Sequence, residues 1–208
     1  MLARFLLVCV VFLSSSAVSQ PSTAPEPVIN FAECVGDAGL YLDQDFWTFD
    51  QNAEYGWRSI SAKPDCDLAA ADLISLYHRK LRTAGVPVII DHPQGTVTLS
   101  DTGEIYLLYW HEGQIRASQD QTQHAVSLFH KSIKPEAQNY GAWNEYVLAS
   151  IAFLENDLGE LTRQRKLLAQ KIGDNKANLR IVDGLIACFG KPYATAYGSD
   201  ACDDRPVP

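Results

Sequence analysis

A mainly α-helical single domain, built from antiparallel helical hairpins stacked on one another, is the fold class this sequence predicts. Three observations predict it. Apolar residues recur at three- and four-residue spacing along most of the chain. Three of these stripes are opened by a D-x-x-E/Q box, at Asp101, Asp120 and Asp157, which can satisfy the free N–H groups of a helix start. The boxes at Asp120 and Asp157 lie 37 residues apart with one helix before each, the period of a helical hairpin that repeats. An irregular helical bundle is the alternative with the same local signals.

The chain opens with Arg4, an apolar run Phe5–Leu13, Ser14-Ser15-Ser16, and small residues at Ala17 and Ser19. That order predicts a cleaved signal peptide over 1–19. Nine apolar residues are too few to span a hydrocarbon core of about 30 Å, so no membrane association is expected after cleavage. Residues 20–30, rich in Pro, Ser and Ala, read as a flexible leader, and 31–208 as one helical domain. Secretion or a periplasmic location follows. The short signal and the lack of an N-x-S/T acceptor point to a bacterial periplasm rather than a glycosylating route.

Within the domain, Leu40–Phe49 is aromatic and acidic together and reads as helix, followed by a turn and a shorter helix over 53–62. Ala70, Leu73, Ile74, Tyr77 and Leu81 mark one face of a helix over 67–82. A small β-hairpin is predicted near 86–99, where Val86–Ile90 and Thr96–Leu99 flank His92-Pro93-Gln94-Gly95; a long loop would leave the same trace. Helices then follow over 101–117, 120–133, 141–155, 157–172 and 174–189. Lys134-Pro135 stops the second of these, and Gly190 the last. Pro192 starts a final turn that carries Tyr193 and Tyr197.

Cleavage removes Arg4 and leaves 16 basic residues facing 25 acidic ones, a formal charge of −9. Such a field repels phosphate backbones and anionic lipid, so nucleic acid is not an expected partner; a basic protein or peptide is. Cys34, Cys66, Cys188 and Cys202 remain, an even number in an oxidising compartment. Of the three connectivities, Cys34–Cys66 and Cys188–Cys202 join neighbouring segments and close the modest loops. Zinc is not expected, because C-x-x-C and His at ligand spacing are both missing. No cofactor is implied.

No motif names a reaction. His111-Glu112 begins H-E-x-x-H, but Ile115 stands where the second ligand belongs. Neighbours on a helix also point about 100° apart and cannot act as one dyad. Asp43, Asp45 and Asp50 among Phe46, Trp47 and Phe49 form an acidic-aromatic patch, the ingredients of a glycan hydrolase without its signature. An EF-hand loop, G-x-S-x-G and a redox C-x-x-C are all missing from the sequence.

Tyr109, Gly113, Ala125 and Phe129, spaced 4, 12 and 4 with Ser132 small beyond them, resemble the tetratricopeptide (TPR) family over about 105–135. The resemblance implies a TPR-like array whose first helices line a concave face. It places Leu107, Trp110 and Gln114 in that face as binding residues, Trp110 as an exposed anchor. The pattern departs from the family further on: 37 residues later Ala125 meets Thr162 and Phe129 meets Lys166. The expected function is an exported protein- or peptide-binding module without catalysis. The alternatives are a small exported hydrolase of cell-wall or glycan material acting through Asp43–Asp50, and an inhibitor or immunity-type protein.

Overall fold

The computed structural model describes residues 31–84, 88–92, 95–99, 105–171, 176–198 and 202. The expected signal peptide and leader, the Asp101–Glu104 box and the first residues of the helix expected over 174–189 lie outside them. Three short helices come first: α1 (Phe31–Val35), α2 (Gly39–Leu42) and, after a π-turn over Trp47–Gln51, α3 (Gly56–Ser61). The single helix expected over Leu40–Phe49 is therefore broken, and the reason is local. Asp45 turns its carboxylate onto the Thr48 N–H (3.0 Å) and hydroxyl (2.6 Å), so a new turn starts where the first would have continued. Gly56 sits at φ 63° against the Phe49 carbonyl. A Cβ there would fall 1.9 Å from that oxygen, so only glycine fits.

Helix α4 (Asp67–Ala84) carries the predicted apolar face. Cys66, immediately before it, is bonded to Cys34 of α1 (Cα–Cα 5.6 Å). Strands β1 (Val88–His92) and β2 (Gly95–Leu99) pair antiparallel with Val88 opposite Leu99 and His92 opposite Gly95.

The remaining helices are α5 (Ile105–Ser118), α6 (Thr122–Lys131), α7 (Trp143–Leu154), α8 (Leu158–Lys171), α9 (Ala177–Ala187) and α10 (Tyr193–Gly198). Sequential helices pack on each other from α3 to α10, α4 and α5 included although the strand pair separates them in the chain; α7 also meets α9, and α10 returns to α5. Cys188 and Cys202 form the second disulfide, bracketing α10 (Cα–Cα 5.5 Å). Among the described residues no helix is long and apolar enough to cross a membrane.

Helix α5 lies between two cores. Its Leu108 joins Phe49, Trp57, Ile60, Ile74 and Tyr77 on the α1–α4 side. Its Trp110 joins Phe129, Tyr146, Phe153, Leu161 and Tyr193 on the α6–α10 side. Gly113 lets α6 close in, since a Cβ there would lie 2.6 Å from the Phe129 ring.

The cap expected at Asp120 is not there. Gln121 is the residue before α6, no side chain caps that start, and Asp120 lies in the left-handed region at φ 58°. At α8 the expectation holds: Asp157 Oδ1 accepts the Glu160 N–H at 2.8 Å. The two turns themselves are alike. Gln121 N–H reaches Arg116 O (2.9 Å), and Asp157 N–H reaches Ala152 O (2.8 Å), across left-handed Asp120 and Asn156. In these turns Gln121 and Asp157 hold like positions 36 residues apart, and the two aspartates, 37 apart, hold unlike ones.

Candidate functional site

Helices α3 and α5 face each other along a seam that α10 closes at one end. Trp57 and Ser61 are one turn apart on α3, while His111, Ile115 and Ser118 follow i, i+4 and i+7 on α5. Two polar constructions stand on this seam.

The first is Asp50 with His111. His111 Nδ1 and Asp50 Oδ1 are 2.8 Å apart, and the same oxygen accepts the Trp57 indole N–H at 2.9 Å. Gln51 Nε2 donates to the other oxygen at 2.5 Å. Arg58 spans the back of the site, donating from Nε to the Asp50 carbonyl (2.9 Å) with its guanidinium 4.1 Å from the Trp57 ring centre. The Asp50 side chain is fully buried and that of His111 is 13 % exposed. Burial would raise the Asp50 carboxyl, but hydrogen bonds from His111, Trp57 and Gln51, with the His111 charge, outweigh it and hold it below the ordinary value. The imidazole is thus oriented from behind by a buried carboxylate, with its ring against Trp57.

Glu112 takes the opposite direction, as expected for adjacent helix positions. It bridges His78 of α4 (2.9 Å) and Arg116 (2.9 Å), and Arg116 continues to Asp72 (2.7 Å) and Gln121 (2.9 Å). Burial would raise this carboxyl too, yet the bonds and charges from His78 and Arg116 keep it lowered. This chain of ion pairs ties α4 to α5 and leaves His78 Nδ1 buried without a partner.

The second construction is a cavity of about 260 Å³ further along the seam. Ser61, Asp67, Gln114, Ser118, Tyr193 and Tyr197 line it, with Ile115 at its wall. Asp67 Oδ1 accepts Ser61 Oγ at 2.5 Å, and Oδ2 accepts Gln119 Nε2 at 3.2 Å. Tyr197 pairs its hydroxyl with Tyr146 of α7. The Tyr193 hydroxyl is buried and unpartnered, with Gln114 and Ser150 the polar side chains facing it.

Of the binding residues expected from the sequence, only Gln114 reaches this cavity. Trp110 is corrected: it is 3 % exposed, stacked on Phe129 at 4.5 Å and edge-on to Trp143 at 5.4 Å. Withdrawing roughly 200 Å² of indole from water at about 25 cal/mol per Å² is worth at most about 5 kcal/mol, which holds the ring in the core. Leu107 is also no free anchor, because it packs half-buried against both cores. The face they were assigned to is closed by α10, whose Tyr193 and Tyr197 belong to the α6–α10 core.

The acidic patch does not act as a unit either. Asp43 pairs with Lys80 (2.7 Å), Asp45 caps the π-turn, and Asp50 is buried behind His111. Among the described residues no three His, Cys, Asp or Glu side chains are placed to hold a metal ion. The Asp50–His111 and His78–Glu112 pairs escaped the sequence reading, because their members lie 61 and 34 residues apart. No family model matches the chain, and comparison with curated proteins and with solved structures gives no match.

Proposed function

We propose that this chain is an exported, secreted or periplasmic TPR-like module that binds a protein or peptide without catalysing a reaction. The observation that carries the reading is the repeated turn: α5–α6 and α7–α8 are joined by the same three-residue connection 36 residues apart. In that register three pairs of buried residues correspond, while Phe129 meets Arg165, which is partly exposed and paired with Asp183. Trp110 meets Tyr146, Gly113 meets Ala149, and Ala125 meets Leu161, all six in one core or at its helix crossing. Repeated helical pairs of this kind bury a continuous core and present their side faces for recognition. The period is two residues longer than the family's usual 34. The two disulfides agree with export.

With α10 lying against α5, the face left for a partner is the α3–α5–α10 seam, and Gln114 is the predicted binding residue that remains there. The acidic balance of the chain favours a basic partner. The test is a panel of basic and neutral peptides against the mature oxidised protein, read by hydrogen exchange. Protection is expected in α3, α5 and α10 on binding a basic peptide. Binding that protects only other helices, or no binding across the panel, removes the reading.

The hydrolase reading draws on one observation, the carboxylate-oriented imidazole of His111, since Asp43 and Asp45 are engaged elsewhere. Cleavage of cell-wall or glycan material that disappears in His111→Ala, with the fold intact, would establish it in place of the binding module.

A further inference from the structure

We propose that the cavity between α3, α5 and α10 is a binding site for a primary ammonium group. This rests on the binding-module reading only for the group's source, a partner's lysine side chain; a free alkylamine would meet the same chemistry.

The lining decides the sign of the ligand. It offers one carboxylate (Asp67), the hydroxyls of Ser61, Ser118, Tyr193 and Tyr197 and the amide of Gln114, and no basic side chain among the described residues that line it. Two helices, α3 at Ser61 and α5 at Ser118, end at the cavity and turn their negative ends toward it. Two helix starts are also present: that of α4 carries Asp67 itself, and that of the six-residue α10 carries Tyr193. An anion would meet this arrangement at a loss, and a cation gains from it.

The geometry then selects among cations. A guanidinium seeks two free carboxylate oxygens side by side. Each Asp67 oxygen already accepts one hydrogen bond, from Ser61 and from Gln119, so a guanidinium would need both of the lone pairs that remain. An ammonium carries three donors and needs only one further lone pair on Asp67 plus two neutral acceptors. Gln114 and the tyrosine hydroxyls supply those. The buried Tyr193 hydroxyl, with Gln114 and Ser150 as the polar side chains near it, adds a further neutral oxygen to the lining. Burial, with Tyr197 nearby, pushes the Tyr193 hydroxyl well above its ordinary value, and burial raises Tyr197 as well. Both therefore stay neutral and able to accept. A volume of about 260 Å³ has room for an amine head and its alkyl stem.

The test titrates n-butylammonium and n-butanol into the full oxidised protein, followed by NMR of the tyrosine rings. A lysine tripeptide and its norleucine isostere form the second pair. The ammonium member of each pair is expected to bind at least about tenfold tighter than its neutral isostere, with shifts at Tyr193 and Tyr197. Asp67→Asn should erase that preference while the circular dichroism stays unchanged. Tyr197→Phe should weaken binding severalfold. If Asp67→Asn fails to fold, the isostere comparison on the unmodified protein still decides. Tighter binding of the lysine peptide than of butylammonium supports a partner's lysine as the source. Butylammonium binding without the peptide keeps the site and sinks the binding-module reading at this surface. Equal affinity for charged and neutral members, or no shift at the two tyrosines, overturns the proposal.

Discussion

Asp50 is buried behind His111, and its charge is part of what holds the α3–α5 seam. In the sequence it belongs to an acidic patch beside aromatic side chains. In the fold it is the one carboxylate of that patch that is buried, and it gathers donors from the π-turn, α3 and α5. Its carboxyl is held below the ordinary value, so its contribution is complete above the unfolded carboxylate range near pH 4 and is lost as pH falls through the folded value. Asp50→Asn should therefore destabilise the protein by about 2–3 kcal/mol at pH 7, the worth of hydrogen bonds to a charged group. The gap to the unmodified protein should close on acidification below about pH 4, measured by urea unfolding across the pH range. A gap that persists to low pH would mean that Asn fails for steric reasons and that the charge is unimportant. Neither this hub nor the Glu112–Arg116 chain was legible in the sequence. Helical geometry gives the direction of His111 and Glu112, but the partners come from α4 and from the π-turn, and nothing local announces them.

At the scale of elements, the periodic stripes were legible because each helix buries one face. Helices α4 and α6 to α9 lie where 3.6-residue spacing puts them, with ends within a few residues. What failed were the boundaries that depend on which backbone group a short polar side chain chooses. Asp45 started a new turn inside an expected helix, and Asp120 occupies the left-handed turn position where a cap was expected. The box motif could not separate Asp120 from Asp157, since both have Gln or Glu three residues on. The structure separates them, and stability should follow it. Asp157→Ala removes a cap bond and should cost about 1 kcal/mol. Asp120→Gly replaces a left-handed non-glycine and should fall within about 0.5 kcal/mol of the unmodified protein. Denaturant unfolding of the two variants side by side measures both. Equal losses would restore the 37-residue equivalence and weaken the repeat on which the functional reading stands.

For the whole molecule, the decisive arrangement is two cores sharing α5, each stapled by its own disulfide. Cys34–Cys66 closes 32 residues around the α1–α4 core, and Cys188–Cys202 closes 14 around α10 at the other. In the chain-entropy model these loops are worth about 3.7 and 3 kcal/mol, together a large part of the roughly 5–15 kcal/mol that holds a typical domain. Reduction should therefore lower the urea midpoint steeply. Cys188→Ser with Cys202→Ser should first release α10, seen as early hydrogen exchange over 193–198 while α4 stays protected. Cys34→Ser with Cys66→Ser should act on α1 and the start of α4 instead. If either pair of substitutions left the stability unchanged, or if both loosened the same helices, the division into two stapled cores would be wrong. The predicted losses also bear on where the chain can work. A domain that depends on two disulfides to this extent folds poorly where thiols are kept reduced, and the same titration in a glutathione buffer poised at the cytosolic potential measures how far the export reading depends on them.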